Sequence, residues 1–122
     1  MNKNRAFGKH ILLVEDDPNA RESIRLLLCI DRHKVAEAKD GLAALELFAK
    51  EQFDLVILDY AMPDMRGSEL AAHLKNVAPS LPILMVTAYL ESLSDSDKPV
   101  DAVLGKPFGV QELRQAIANL VA

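Results

Sequence analysis

The sequence predicts an α/β domain with a parallel sheet. Short apolar runs alternate with helical patterns along nearly the whole chain, as repeated strand-helix units require. The chain has 122 residues, 50% of them apolar and 5% aromatic, which suits one domain with a core of aliphatic side chains. Several of the apolar runs end in an acid, a hydroxyl or an amine. Because the carboxyl ends of parallel strands share one edge of a sheet, we expect these polar groups to form one site.

The first half of the chain predicts two strand-helix units. Asp17 followed by Pro18 marks a helix start, with a capping acceptor and then proline at the first helical position. After Asp40-Gly41, apolar residues recur at helical spacing. The predicted elements are a strand at 10–14, a helix at 18–30, a strand at 34–37 and a helix that starts near residue 41.

The second half predicts three more strands. The segment 54–58 is apolar almost throughout, which indicates a central strand covered on both sides. Residues 90–99 are rich in Ser, Asp and Pro, so we expect the fourth helix to be short or irregular. The other predicted elements are a helix at 68–76, strands at 83–86 and 100–104, and a last helix from near residue 109.

Composition limits the domain organisation and the partners. We expect residues 1–9 to form a flexible leader and residues 10–122 to form the single domain. The net charge of -4 argues against direct nucleic-acid binding, and no apolar run approaches the roughly 20 residues of a membrane span. The single cysteine, Cys29, excludes an internal disulfide and favours a cytoplasmic location. Its apolar neighbours predict that Cys29 is buried.

The acids at the strand ends predict a cation site. Three carboxylates about 5 Å apart would repel by roughly 3 kcal/mol per pair at an effective dielectric constant of 20. Glu15, Asp16 and Asp59 offer the oxygen ligands that Mg²⁺ prefers, whereas Asp17 is better explained as a helix cap. Acids before a helix also favour its positive end, so Glu15 and Asp16 alone would be weak evidence. Asp59 ends a different strand, and its position strengthens the case for a cation site.

The same edge carries groups suited to phosphoryl chemistry. A carboxylate beside a metal ion can act as a nucleophile toward phosphorus, which is the role we assign to Asp59. Thr87 can donate a hydrogen bond to one phosphoryl oxygen, and Lys106 can place its ammonium on another. Because the residue before a proline is held extended, Lys106, followed by Pro107, has a restricted backbone.

These residues resemble the receiver domain of two-component response regulators. The likeness covers nearly the whole chain after the leader and has four specific parts. They are Leu12-Leu13-Val14-Glu15-Asp16-Asp17, Val56-Ile57-Leu58-Asp59-Tyr60-Ala61-Met62-Pro63-Asp64-Met65-Arg66-Gly67, Pro82-Ile83-Leu84-Met85-Val86-Thr87-Ala88 and Lys106-Pro107-Phe108. The resemblance implies a flavodoxin-like three-layer (βα)5 fold with strand order 2-1-3-4-5.

The resemblance also implies a function and a set of roles. Asp59 would accept a phosphoryl group from a histidine kinase or a histidine phosphotransfer protein. Mg²⁺ would be bound by Asp16, Asp59 and the backbone carbonyl of Ala61, with Glu15 acting through water. Thr87 and Lys106 match the family's phosphate-sensing hydroxyl and site lysine, whose bond to the next proline is typically cis. The chain would be a phosphoacceptor module, a monomer or weak dimer, that controls an output domain or a downstream protein.

Two features depart from the family pattern. Val103 stands three positions before Lys106, where family members usually carry an aromatic residue, and the stretch from Thr87 to Lys106 is shorter than usual. Both changes fall on the 88–108 face, which signals activation in the family. We therefore expect intact acceptor chemistry with an altered output route, carried by residues 88–99.

Three other functions compete with a phosphorylated receiver. The altered 88–108 face would suit a receiver that binds partners without phosphorylation. An aspartate-nucleophile phosphohydrolase also uses Asp, Mg²⁺, Thr and Lys. Such enzymes resemble one another in carrying a second acid two residues after the nucleophile, but that position is Ala61 here. A flavin-binding module would need a phosphate-binding loop of small residues instead of Glu15-Asp16-Asp17. Steady turnover of a phosphate ester would favour the phosphohydrolase.

Overall fold

The computed structural model describes residues 6–89 and 100–121. Within these two ranges the chain forms five strands and four helices in alternating order, except that β4 and β5 are separated by residues 88–101. The strands are β1 (His10–Val14), β2 (Lys34–Ala38), β3 (Leu55–Asp59), β4 (Ile83–Thr87) and β5 (Ala102–Gly105), and the helices are α1 (Pro18–Ile30), α2 (Gly41–Lys50), α3 (Gly67–Val77) and α4 (Val110–Val121).

All five strands pair in parallel in the order β2-β1-β3-β4-β5. This confirms the predicted fold and strand order. The register sets Val14 opposite Leu58, Asp59 opposite Val86, and Thr87 opposite Gly105. The polar residues that end β1, β3, β4 and β5 therefore reach one edge of the sheet.

The core is divided between the two faces of the sheet. On one face, alternate strand residues such as Leu12, Val56 and Ile83 pack with Ala44 of α2 and Leu70 of α3. On the other face, the intervening residues of the same strands pack against α1 and α4; among them are Ile11, Leu13, Ile57, Leu84, Ile24, Leu28, Leu113 and Ile117. β3 and β4 are buried along their whole length, as expected of strands covered on both faces.

The burial predicted for Cys29 is wrong, because Cys29 is exposed. In α1 only Ile24 and Leu28 are buried, and Leu26 and Ile30 are more than half exposed. Because each residue of a helix is rotated by about 100° from the one before it, Cys29 lies beside the buried Leu28 and faces outward near Arg25.

The observed helix and strand boundaries agree with the predicted ones to within two residues. The predicted irregular helix at 90–99 falls outside the described ranges.

The edge opposite the polar site is tied together by hydrogen bonds. Arg114 of α4 donates to both carboxylate oxygens of Asp31, at 2.9 and 3.2 Å, and so links α4 to the end of α1. The buried ring of His33 accepts a hydrogen bond at Nδ1 from the amide of Lys9, at 3.0 Å.

Among the helices of residues 6–89 and 100–121, none combines the length and apolar character needed to cross a bilayer.

Candidate functional site

Three carboxylates meet where β1 and β3 end. Glu15, Asp16 and Asp59 each offer an oxygen that lies within 4.8 Å of the others'. Glu15 and Asp59 are buried, whereas Asp16 is exposed. The sequence predicted this cluster, and the pairing of β1 with β3 explains it, since residues after Val14 and Leu58 continue from neighbouring positions of the sheet.

The backbone around Glu15 is fixed by three elements. The amide of Glu15 donates to Ala38 on β2 at 3.0 Å, and its carbonyl accepts the Arg21 guanidinium at 2.9 Å. The Glu15 carboxylate accepts the amide of Asp17 at 3.3 Å. The loop between β1 and α1 is thus held by strand, helix and its own side chain. Arg21 was not identified from the sequence, because a contact with a carbonyl six residues earlier leaves no local signature.

Asp17 has the role predicted for it. Its backbone is extended and its side chain accepts the amide of Ala20 at 3.2 Å, while Pro18 occupies the first helical position. This is an N-cap, which satisfies one of the free amides at the start of α1. Within the described residues, the carboxylate cluster consists of Glu15, Asp16 and Asp59 without Asp17.

Lys106, directly after β5, places its ammonium group beside the acid cluster. Its Nζ donates to Glu15 Oε1 at 2.6 Å and lies 3.4 Å from Asp59 Oδ1. Its backbone amide donates to the Thr87 carbonyl at 2.7 Å, and its peptide bond to Pro107 is cis, as the resemblance predicted. Residues more than 40 positions apart in sequence are therefore in direct contact.

The electrostatics reflect burial as well as pairing. Burial raises the pKa of the Glu15 carboxyl to about 6; the hydrogen bond from Lys106 opposes this rise and the charge of Asp59 adds to it. Burial lowers the pKa of Lys106, but the hydrogen bond to Glu15 and the charge of Asp59 outweigh it, and the net pKa is raised. Lys106 therefore stays charged at neutral pH and offsets part of the repulsion among the carboxylates.

Thr87 ends β4 at the same edge and is 99% buried. Its Oγ1 accepts the amide of Tyr89 at 2.9 Å, which is a local turn contact. A threonine hydroxyl that accepts one bond still has its own proton to donate. This turn contact is therefore compatible with the phosphate-binding role predicted for Thr87.

The loop after Asp59 runs through Ala61 to the start of α3. Its ends are drawn together by a hydrogen bond from the amide of Gly67 to the carbonyl of Tyr60, at 2.6 Å. A Cβ on Gly67 would overlap the carbonyl oxygen of Asp59, so only glycine fits there. The loop also contains Asp64, which contacts α2 and to which the sequence analysis assigned no role.

The donor set fits a small hard cation. Carboxylate oxygens are the ligands of Mg²⁺, which usually takes one or two of them and retains several waters. One exposed carboxylate, two buried ones and an adjacent loop carbonyl satisfy that requirement. A cation there would also relieve the mutual repulsion that one lysine offsets only in part.

Comparison with known proteins gives the family. The model of the response regulator receiver domain matches residues 11–118. The chain therefore belongs to the response regulator receiver domain family, and it is a signalling phosphoacceptor domain of two-component systems, not a classical enzyme.

The relatives with curated descriptions are response regulators. The chain is 38% identical over 114 residues to response regulator MprA of Mycobacterium leprae (strain TN), covering 91% of this chain and 50% of that protein. It is 40% identical over 106 residues to MprA of Mycobacterium sp. (strain KMS), covering 84% of this chain and 46% of that protein. The chain thus spans about half the length of the curated relatives it matches.

Solved structures give the same fold. The response regulator TrrA of Thermotoga maritima, in complex with Mg²⁺-BeF, superposes with a TM-score of 0.86 at 34% identity over 92% of this chain and 98% of that one. TrrA in complex with the histidine kinase ThkA gives a TM-score of 0.85 at 34% identity over 93% and 99% of the two chains.

Proposed function

We propose that this domain accepts a phosphoryl group on Asp59 from a histidine kinase or a histidine phosphotransfer protein, in a Mg²⁺-dependent reaction. The observation that carries the proposal is the contact set around Asp59. Its carboxylate lies within 4.8 Å of the Glu15 and Asp16 carboxylates and 3.4 Å from the Lys106 ammonium. The acid cluster, with a bound cation, and the Lys106 ammonium together would allow the Asp59 carboxylate to approach an anionic phosphoryl donor.

Each residue has a defined part in the transfer. Asp16, Asp59 and the carbonyl of Ala61 would hold Mg²⁺, and Glu15 would act on the ion through water. When bound, the ion neutralises charge on the phosphoryl oxygens. An oxygen of Asp59 attacks phosphorus as the bond from phosphorus to the donor nitrogen or oxygen breaks, and the leaving group takes that electron pair. Lys106 and Thr87 donate hydrogen bonds to the transferred group.

Support for the ion and for the kinase also comes from similar proteins. TrrA, which shares 34% of its residues with this chain, has been solved with Mg²⁺-BeF and with the histidine kinase ThkA. We carry both kinds of partner over to this chain. We further propose residues 10–122 as the receiver domain, a cytoplasmic location, and control of an output domain or downstream protein through the 88–108 face.

Beryllofluoride binding tests the proposal without a cognate kinase. Fluorine NMR of the chain with beryllofluoride should show a bound signal that requires Mg²⁺ and is absent in Asp59→Asn. Asp54→Asn is a suitable control, because Asp54 lies before β3, where it accepts the His10 amide. A bound signal that survives in Asp59→Asn would contradict the proposal. Steady hydrolysis of small phosphate esters would instead favour the phosphohydrolase.

A further inference from the structure

The loop at 60–66, between β3 and α3, is attached to a third element. Asp64 Oδ1 accepts the amide of Gly41 at 3.0 Å, and Oδ2 accepts the amide of Leu42 at 2.9 Å. Both amides belong to the first turn of α2. One carboxylate thus binds the start of a helix with both oxygens from a loop more than 20 residues away in sequence.

The start of α2 has room for this second acceptor. The first four amides of a helix have no partner within the helix. The side chain of the local cap, Asp40, accepts the amide of Ala43 at 2.8 Å. Asp64 takes two of the amides that Asp40 leaves, and the hydrogen bonds from Gly41 and then Leu42 hold the pKa of Asp64 below its usual value. Asp64 is therefore ionised at neutral pH and matches the positive end of α2.

Side-chain packing reinforces the attachment. A Cβ on Gly41 would lie 2.5 Å from Cγ of Met65, so the Met65 side chain packs closely against the start of α2 in the space that Gly41 leaves free. Met65 follows Asp64 directly. The tip of the 60–66 loop is thus held to α2 by two adjacent residues, one through hydrogen bonds and one through contact.

The base of the same loop is held by the sheet. The amide of Tyr60 donates to the Val86 carbonyl at 3.1 Å, and the carbonyl of Tyr60 accepts the Gly67 amide at 2.6 Å. Ala61 lies between this fixed base and the tip held by Asp64. The position of the Ala61 carbonyl therefore depends on both attachments.

We propose that Asp64 is a positioning residue for the metal site, holding the 60–66 loop so that the Ala61 carbonyl stays in place for Mg²⁺. The inference rests on the proposed function, which makes that carbonyl a ligand. Coupling between two sites is reciprocal in binding free energy. Mg²⁺ at one end of the loop should therefore strengthen the capping of α2 at the other end.

The test compares two acids at the same helix end. Asp64→Ala and Asp40→Ala each remove one charge and a capping acceptor of α2, but only Asp64 lies on the 60–66 loop. Mg²⁺ affinity is measured by calorimetry, and urea unfolding shows that each variant folds. Asp64→Asn keeps one oxygen acceptor and serves as the partial rescue. In the unsubstituted protein, NMR hydrogen exchange at the Gly41 and Leu42 amides is measured with and without Mg²⁺.

Asp64→Ala should weaken Mg²⁺ binding by about fivefold or more, with Asp64→Asn intermediate and Asp40→Ala close to the unsubstituted protein. Mg²⁺ should also slow exchange at Gly41 and Leu42. Unchanged affinity in Asp64→Ala, or equal losses in Asp64→Ala and Asp40→Ala, would overturn the inference while Mg²⁺ binding itself stood. An unsubstituted protein that binds no Mg²⁺ would overturn the proposed function and the inference together.

Discussion

Lys106 donates to Glu15 at 2.6 Å and lies farther, at 3.4 Å, from Asp59. Its closer partner is therefore the buried carboxylate of Glu15 and not the proposed acceptor. Because burial raises the pKa of Glu15 to about 6, the contact with Lys106 is a full ion pair only above that pH. This makes the pair measurable through the pH dependence of stability.

The first prediction is that Lys106→Met lowers the stability of the folded protein more at high pH than at low pH. The folded-state pKa of Glu15, about 6, exceeds its ordinary 4.5, so its contribution to stability falls as pH rises through that window. Lys106 opposes that fall. Without metal, Lys106→Met should lose about 1–3 kcal/mol of unfolding free energy at pH 8 and much less at pH 5.

Urea unfolding in EDTA at the two pH values measures this difference. Lys39→Met, at an exposed position, is the control for loss of a positive charge. In a Glu15→Gln background the effect of Lys106→Met should no longer depend on pH. A loss that is the same at pH 5 and pH 8 in the native background would contradict the assignment of the pair.

The second prediction separates the metal ligand from the cap. Asp16→Ala should weaken Mg²⁺ binding strongly, because it removes the exposed member of the carboxylate cluster. Asp17→Ala should leave Mg²⁺ affinity nearly unchanged and cost about 1 kcal/mol of stability as a lost N-cap. Calorimetric Mg²⁺ titration and urea unfolding of both variants check this. A larger loss of Mg²⁺ affinity in Asp17→Ala would reverse the two roles.

The third prediction concerns His33, at the opposite edge of the sheet. Burial lowers its pKa from 6.5; the charge of Asp31 acts in the other direction, and Lys9 adds to the lowering. Since the unfolded chain takes up the proton first, this contribution to stability is complete above pH 6.5 and is lost as pH falls below it. Protonation at Nδ1 would also break the bond from the Lys9 amide.

The difference in unfolding free energy between the native protein and His33→Asn should therefore shrink between pH 7.5 and pH 5. The same comparison with His73→Asn, at an exposed position of α3, is the control. A difference for His33→Asn that stays constant or grows toward pH 5 would show that the sign is wrong.

The sequence predicted most of the fold because the local signals agreed with the tertiary structure. The start of α1 was recognised from Asp17-Pro18, and β1 and β3 were recognised from their apolar segments. The strand order followed from the family resemblance. Cys29 was misjudged because residues 26–30 are uniformly apolar, so their composition does not show which side of α1 faces the core.

The candidate site was predictable to the extent that its groups end strands. Glu15, Asp59, Thr87 and Lys106 each follow or end an apolar run, and the sheet brings those ends together. Arg21 and Asp64 were missed because they bind backbone groups of other segments. Such contacts depend on tertiary placement, which leaves no spacing or composition to recognise.

The fourth prediction is that activation is read out through residues 88–99. Val103, half-buried on β5, offers no large ring to move toward Thr87. Residues 90–99 are rich in Ser, Asp and Pro, from which the sequence predicted an altered output route, and they lie outside the described residues. Hydrogen exchange with and without Mg²⁺-beryllofluoride should therefore change in 88–99. Changes confined to residues 109–122 would contradict this.

The fifth prediction tests the central claim most directly, by intact-mass measurement of the chain incubated with acetyl phosphate. With Mg²⁺ the chain should gain the mass of one phosphoryl group, because a cation is needed to bring an anionic donor to the acid cluster around Asp59. EDTA or Asp59→Asn should abolish that gain. A gain that persists unchanged in Asp59→Asn, or no Mg²⁺-dependent gain from acetyl phosphate or a cognate phosphorylated donor, would contradict the assignment of Asp59 as the phosphoryl acceptor.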